Sequence, residues 1–515
     1  MKQVLGSAAF HCKESIPVFL RFIILFMNKT NSKSDKFFSS LSIQTVITIT
    51  MGVLEMVVFS ILSRLLSRTD FGFFAVITAL VVVFKCFSEA GFGSAIIQKE
   101  DNSEKHISTA FSLSVLTGLF FSILLFLLAP LFAKVLSVSE IVRPLRIMSI
   151  ILIANSLASV GNAILTRKLQ FLRIGIIKLV AYLISAIVTI IMAINGSGLY
   201  SIVTLHLSNS ILCVLLLYTT SVAIPKFKFC KGEIKKIVSF GGWYTGNVFM
   251  NNLIVDIDKF LLPKLLSVQA LGTYTRPTSF VTNLTSQVNS IFDTVLFPML
   301  SGIQNDLTNL KNIFIRAMSL LNVFSIILSL AFIINAELII RVFFGADWLD
   351  LVPILRIISI SVIFSVDGRL VDCFFRSMGA VKLSFELRLV AFVITLSAVL
   401  IGSRFGVIGV AIGAVLSNIF VIILKVCVIV KIINVSFSEV IALLLKSVVP
   451  SIPIILLGTI YYVINYHTLP IQISLLVIFV VCIGIEMLLF PKFIGNEYYN
   501  MVYPKIRSFI KRRYK

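Results

Sequence analysis

Charges placed inside apolar segments are where this sequence could do chemistry. In "NNLIVDIDKFLLPKLL" (251–266), Asp256, Asp258 and Lys259 sit among Leu253, Ile254, Val255, Ile257, Phe260, Leu261 and Leu262. A charge at the centre of a bilayer costs about 2.5–3.5 kcal/mol on insertion scales, so it needs a reason to stay. Asn252, Asp256 and Lys259 recur at i, i+4 and i+7 and share one helical face, while Asp258 points toward the Asn247/Asn251 side. Asp256 and Lys259 are spaced to pair. Lys85 and Glu89 lie four apart on a second segment, and Ser365, Arg369, Asp372 and Arg376 line a third. Glu55 lies 200 residues before position 255, near the same depth. Two readings stay open: pairs such as Asp256–Lys259 and Asp372–Arg376 that only hold helices together, or a polar, partly basic cleft.

These charges must be positioned by membrane helices. The chain has 515 residues, 58% hydrophobic and 13% charged. Apolar runs long enough for one bilayer crossing, about 20 residues, recur along its length. The expected fold is all-α, a polytopic membrane protein with about 14 transmembrane helices. They fall near 41–62, 72–97, 107–133, 147–165, 174–194, 199–223, 238–263, 273–300, 313–334, 353–375, 383–402, 407–430, 447–464 and 471–490. The net charge of +22 would suggest nucleic acid in a soluble protein. Here it follows the positive-inside rule: Lys and Arg number 25 in eight alternate inter-helix and terminal segments, against 9 in the seven between them. Both termini are therefore expected in the cytoplasm, no nucleic-acid partner is expected, and the tail "KIRSFIKRRYK" (505–515) reads as a topology signal or an anchor to anionic lipid.

No catalytic machinery is apparent. The sequence has no hydrophilic segment the size of a catalytic domain, no Walker A and no GxSxG. The seven Cys form no CxxC pair, and the four His (11, 106, 206 and 467) have no ligand spacing. Neither metal nor cofactor is expected, and the chain does not read as an enzyme. The stretch "IPVFLRFIILFM" (16–27) is too short to span a bilayer, and Met27 opens a polar, basic lead-in, which points to Met27 as a translation start.

The chain also repeats itself. "RLLSRTDFGFF" (64–74) aligns with "KLLSVQALGTY" (264–274) at an offset of 200. "LRIMSI" (145–150) aligns with "LRIISI" (355–360), and "KLVAY" (178–182) with "RLVAF" (388–392), at 210. "HLSN" (206–209) meets "VLSN" (415–418) at 209. The reading is two pseudo-symmetric six-helix lobes in parallel orientation, a build that alternating-access transporters use, plus two C-terminal helices. Boundaries follow: an N-terminal extension 1–36, lobes 37–225 and 226–435, an appended helix pair 436–490, and a basic tail 491–515.

"FSEAGFGSAIIQKEDNSEKHISTAF" (87–111), "AILTRKLQF" (163–171), "DKFLLPKLLSVQALGTYTRP" (258–277) and "VLFPMLSGIQND" (295–306) together resemble bacterial polysaccharide flippases. These belong to the multidrug/oligosaccharidyl-lipid/polysaccharide exporter superfamily, and the segments resemble especially its colanic and teichuronic acid branch. The resemblance covers about 37–435. Pro277 stands where that family usually has a small residue, at a place read as the first helical turn, where Pro is tolerated. The resemblance implies an undecaprenyl-diphosphate-linked oligosaccharide turned between leaflets of the bacterial inner membrane. It also implies the lipid bilayer as partner, with a polysaccharide polymerase and a chain-length regulator nearby. On that reading Lys85, Lys259, Arg276, Arg369 and Arg376 are the candidates for a cationic cleft that takes the diphosphate, with Arg276, close to a membrane face, reading rather as a loop-end anchor. Glu55, Glu89, Asp256, Asp258 and Asp372 temper the field and are candidates for a coupling proton. Two rivals remain: a multidrug/cation antiporter of the same superfamily, which would favour an acidic, aromatic cleft, and a membrane polymerase or ligase, which would need a larger external loop.

Overall fold

A computed structural model describes residues 33–89, 91–93, 96, 104–168, 170–220, 224–301 and 306–452. The expected start at Met27, most of segment 447–464, segment 471–490 and the basic tail lie outside them.

Among the described residues the chain is helical throughout, with no strand. The first lobe comprises α1 (Lys33–Leu65), α2 (Arg68–Glu89), α3 (Glu104–Val135), a short α4 (Val142–Met148) leading into α5 (Ile150–Arg167), α6 (Phe171–Ile194) and α7 (Leu199–Thr220). The second comprises α8 (Lys231–Leu265), α9 (Val268–Ser301), α10 (Leu307–Ile334), a short α11 (Ala336–Phe343), α12 (Val352–Ser377), α13 (Val381–Ser403) and α14 (Gly406–Ile432). An amphipathic α15 (Phe437–Val448) follows and packs on α10. Nine of the described helical segments are long and apolar enough to cross a bilayer. The charge-bearing segments at 353–375 and 383–402 are among them.

The helix pairings repeat. α3 packs on α5 as α10 packs on α12; α1 on α6 as α8 on α13; α6 on α7 as α13 on α14. Even the lead-ins match, a 3₁₀ turn at Ser139–Ile141 before α4 and another at Ala346–Leu351 before α12. The repeated Leu-Leu-Ser has a local cause. Ser67 Oγ accepts from Asp70 N at 3.2 Å, and Ser267 Oγ accepts from Ala270 N at 3.0 Å, so each Ser caps the helix that follows. Helix α9 starts five residues before its expected position, which moves Pro277 from the first turn to the third.

The repeated glycines explain how the lobes meet. A Cβ on Gly72 would lie 2.0 Å from the Val268 carbonyl oxygen, and one on Gly272 would lie 1.9 Å from that of Arg68. Residues 68 and 268 are themselves 200 apart, so α2 and α9 cross at a pseudo-two-fold contact that only hydrogen side chains admit. This crossing closes one end of the molecule. The largest apolar core gathers there and spans both lobes, joining Val58, Leu62 and Phe71 to Leu271, Tyr274 and Phe344. Toward the other end the core divides into clusters that each belong to one lobe. Exposed apolar side chains such as Phe120, Leu127, Ile187 and Ile401 lie on the outer surface of the bundle, as expected for lipid contact.

Candidate functional site

Two polar assemblies stand out, one at each end. At the closed end, Arg276 enters from α9 with only 4% of its surface exposed. Its guanidinium lies 3.7 Å from the Phe59 ring centroid and 3.2 Å from that of Phe71, and it donates a hydrogen bond to Ser63. A desolvated cation between two aromatic faces is held by the ring quadrupoles, at about 2 kcal/mol or more per contact. Phe344 and Trp348 complete the cage, and the Trp348 indole donates to the Ser63 carbonyl at 3.1 Å. Outside it, Arg68 forks onto Asp350 at 2.6 and 2.7 Å and donates to the Asp347 carbonyl at 2.7 Å. Arg64 donates to the Val342 carbonyl at 2.9 Å. The contacts made by Phe59, Ser63, Arg64, Arg68 and Phe71 join α1 or α2 to the second lobe.

Along α8 the spacing argument holds. Lys259 Nζ is 2.5 Å from Asp256 Oδ1, with Asp256 buried. Asp258 is buried as well and accepts from the Lys259 amide at 2.8 Å. One turn back, Asn252 donates to Cys86 Sγ of α2 at 2.9 Å, and Phe87 meets Phe249 at 5.0 Å between centroids. The Lys85–Glu89 pair, 3.6 Å apart and partly exposed, lies on this same seam of α2 and α8. Glu55 is half-buried on α1, within coulombic range of Lys178 on α6.

Toward the opposite end, Asp372 does not pair with Arg376 through its carboxylate. Its Oδ1 is 2.9 Å from Lys425 Nζ of α14 and its Oδ2 is 3.7 Å from Arg388 Nη2 of α13. Arg376 Nε donates to the Asp372 main-chain carbonyl at 3.3 Å. Arg388 Nη1 donates to Asn251 Oδ1 of α8 at 2.6 Å. Four helices thus meet in one polar cluster. Arg369 and Arg376 flank Asp372 on α12, and both are exposed.

The structure gathers Asp256, Asp258 and Lys259 on α8, brings Asp372 to α8 through Arg388, and sets Arg276 apart in its cage. Arg388, Lys425, Lys178 and the Arg68–Asp350 pair were not among the expected site residues. Arg388 and Lys178 lie within the repeated "RLVAF" and "KLVAY", which is the signal that points to them.

A duplicated helical bundle whose lobes meet at the α2–α9 crossing, along the α2–α8 seam and through His106 and Glu233 defines a membrane-transporter fold. The chain belongs to the polysaccharide biosynthesis protein family, which matches residues 61–353. It is 23% identical over 393 residues to the lipopolysaccharide biosynthesis protein WzxC of Escherichia coli (strain K12), covering 76% of this chain and 79% of that one. It is 26% identical over 326 residues to the teichuronic acid biosynthesis protein TuaB of Bacillus subtilis (strain 168), covering 62% and 67%. The solved lipid II flippase MurJ, in an inward closed conformation, shares the fold with a TM-score of 0.67 and 16% identity, over 86% of this chain and 98% of that one.

Proposed function

We propose that this protein moves a lipid-linked oligosaccharide repeat unit, carried on undecaprenyl diphosphate, from the cytoplasmic to the periplasmic leaflet of a bacterial inner membrane. There the unit enters surface polysaccharide. The observation that carries the reading is the family match across 61–353, joined by relatives named for lipopolysaccharide and teichuronic acid biosynthesis. The chemistry agrees with it. A diphosphate and its sugars cannot cross bare hydrocarbon, because each desolvated polar group costs several kcal/mol. A cleft that offers Lys and Arg to the phosphates and Asn, Asp or Tyr to the hydroxyls removes that barrier. Lys85, Lys259, Arg369 and Arg376 are the cations we assign to it, with Glu55, Glu89, Asp256, Asp258 and Asp372 tempering the field.

Transport then proceeds by parting the lobes alternately at each end. The charge bias of the loops supports placing the closed end outside and both termini in the cytoplasm. A polysaccharide polymerase and a chain-length regulator are the partners expected on the periplasmic side. The test is deletion in a strain with a single exporter of this class. Lipid-linked repeat units should accumulate in the cytoplasmic leaflet and surface polymer should disappear. Normal surface glycan with altered drug sensitivity would replace the reading with cation-coupled drug export.

A further inference from the structure

We infer that Arg388 and Lys425, with Asp372 as a resident counter-ion, form a diphosphate-binding site inside the second lobe. The inference rests on the flippase reading for the source of the diphosphate.

Charge balance is the first argument. The cluster holds two cations and one carboxylate, with side-chain exposures of 16% for Arg388, 12% for Lys425 and 20% for Asp372. Asn251, which receives the other arm of Arg388, is neutral. Arg388 Nε is buried without a hydrogen-bond partner. A partly desolvated cluster with one unbalanced positive charge is costly unless an anion completes it. The other charges along the same helices do not supply that anion. Glu386 is exposed two residues before Arg388, Asp367 lies more than a turn before Asp372, and Arg369 and Arg376 add positive charge on either side.

Duplication is the second argument. Arg388 occupies the place of Lys178 in the repeated segment. In the first lobe the side chain within coulombic range of that cation is a carboxylate, Glu55. In the second lobe the α8 partner is the amide of Asn251. At the offset of 200 the counterpart of Glu55 is Val255, so the second lobe has no carboxylate there and its two cations share the single carboxylate of Asp372.

Geometry selects the anion. Arg388 Nη2, at 3.7 Å, and Lys425 Nζ, at 2.9 Å, approach the two oxygens of one carboxylate from different helices, and Arg388 Nε stays unpaired beside them. A planar fork beside a compact ammonium matches two linked phosphates better than a single small anion. Asp372 then acts as a built-in competitor that the diphosphate displaces on binding and that returns on release. A carrier needs this, since a site that binds too tightly does not let go.

Binding is read on purified full-length protein in detergent, with geranylgeranyl diphosphate, inorganic pyrophosphate, geranylgeraniol and phosphatidylglycerol as probes. The expected result is binding of the first two, with Arg388→Ala and Lys425→Ala each weakening it tenfold or more. Arg388→Lys should retain part of the affinity. Asp372→Asn should tighten binding several-fold, because it removes the competitor; a purely structural cluster would not gain affinity. Loss of affinity in Asp372→Asn would overturn the site, as would unchanged binding in folded Arg388→Ala and Lys425→Ala. Equal binding of phosphatidylglycerol, lost in the same variants, would assign the cluster to ordinary anionic lipid and overturn the diphosphate. Binding is measured without export, so a failed deletion test of the flippase leaves this outcome separately readable.

Discussion

The closed end and the opposite end use cations in different ways. At the closed end Arg64, Arg68 and Arg276 all reach between lobes, onto backbone carbonyls, aromatic faces and the Asp350 carboxylate. At the opposite end Arg388 and Lys425 stay inside the second lobe, on α8, α12, α13 and α14. The apolar core divides the same way, shared at the first end and split at the second. Contacts between lobes must break when the lobes part, so they set which conformation is populated. Contacts within a lobe travel with it and can hold a ligand through the whole cycle. One end therefore works as a latch and the other as a seat.

The comparison can be pressed first at α8. Removing Lys259 strands the buried Asp256, and breaking a buried pair costs about 3–5 kcal/mol, less where one partner keeps some solvent as Lys259 does. Lys259→Met should lower abundance and thermal stability, and adding Asp256→Asn should restore much of both. Export should fall further than abundance and should not return with Asp256→Asn, because Lys259 also serves the substrate; export that recovers in step with abundance would limit the pair to the fold. The next effect belongs to the latch. Gly272→Ala forces a Cβ toward the Arg68 carbonyl and should cost about 1–3 kcal/mol by overpacking. Gly246→Ala, with nothing within 4 Å, should be neutral or slightly stabilising on thermal unfolding.

Arg276→Met keeps the bulk of the side chain but loses about 2 kcal/mol or more of cation–π attraction. A cysteine placed at Ser63 should then react faster with a membrane-impermeant maleimide. Unchanged labelling would show that the cage does not hold the latch. The smallest effect is expected at Arg68–Asp350, whose side chains are 27% and 52% exposed. A double-mutant cycle there should return about 0.2–1 kcal/mol and shrink with added salt.

Much of this was legible in the sequence, for physical reasons that can be named. The repeated Leu-Leu-Ser and Gly appear at the same offset because two caps and one close crossing impose the same residues on both copies. The i, i+3 pairing of Asp256 with Lys259 followed from helix geometry alone. Asp372 was harder. Its neighbour in sequence, Arg376, has the right spacing, but the carboxylate turns to α13 and α14, more than ten residues away, and helical spacing carries no information about that packing. Arg276 illustrates the same limit: its place near a helix end suggested a cleft cation or a loop-end anchor, while its partners Phe59 and Phe71 lie about 200 residues earlier, beyond anything helical spacing reports. The stretch 335–356, between two expected helices, carries no motif in sequence. It folds as α11 and a 3₁₀ turn, and its Trp348 closes the cage.

The central claim is that the closed end must open for transport. Its direct test is a reducible cross-link between cysteines at Arg68 and Asp350, in a background without native cysteines, with surface polysaccharide measured before and after reduction. Export should stop when the link forms and return when it is reduced. Full export with the link intact would contradict the account.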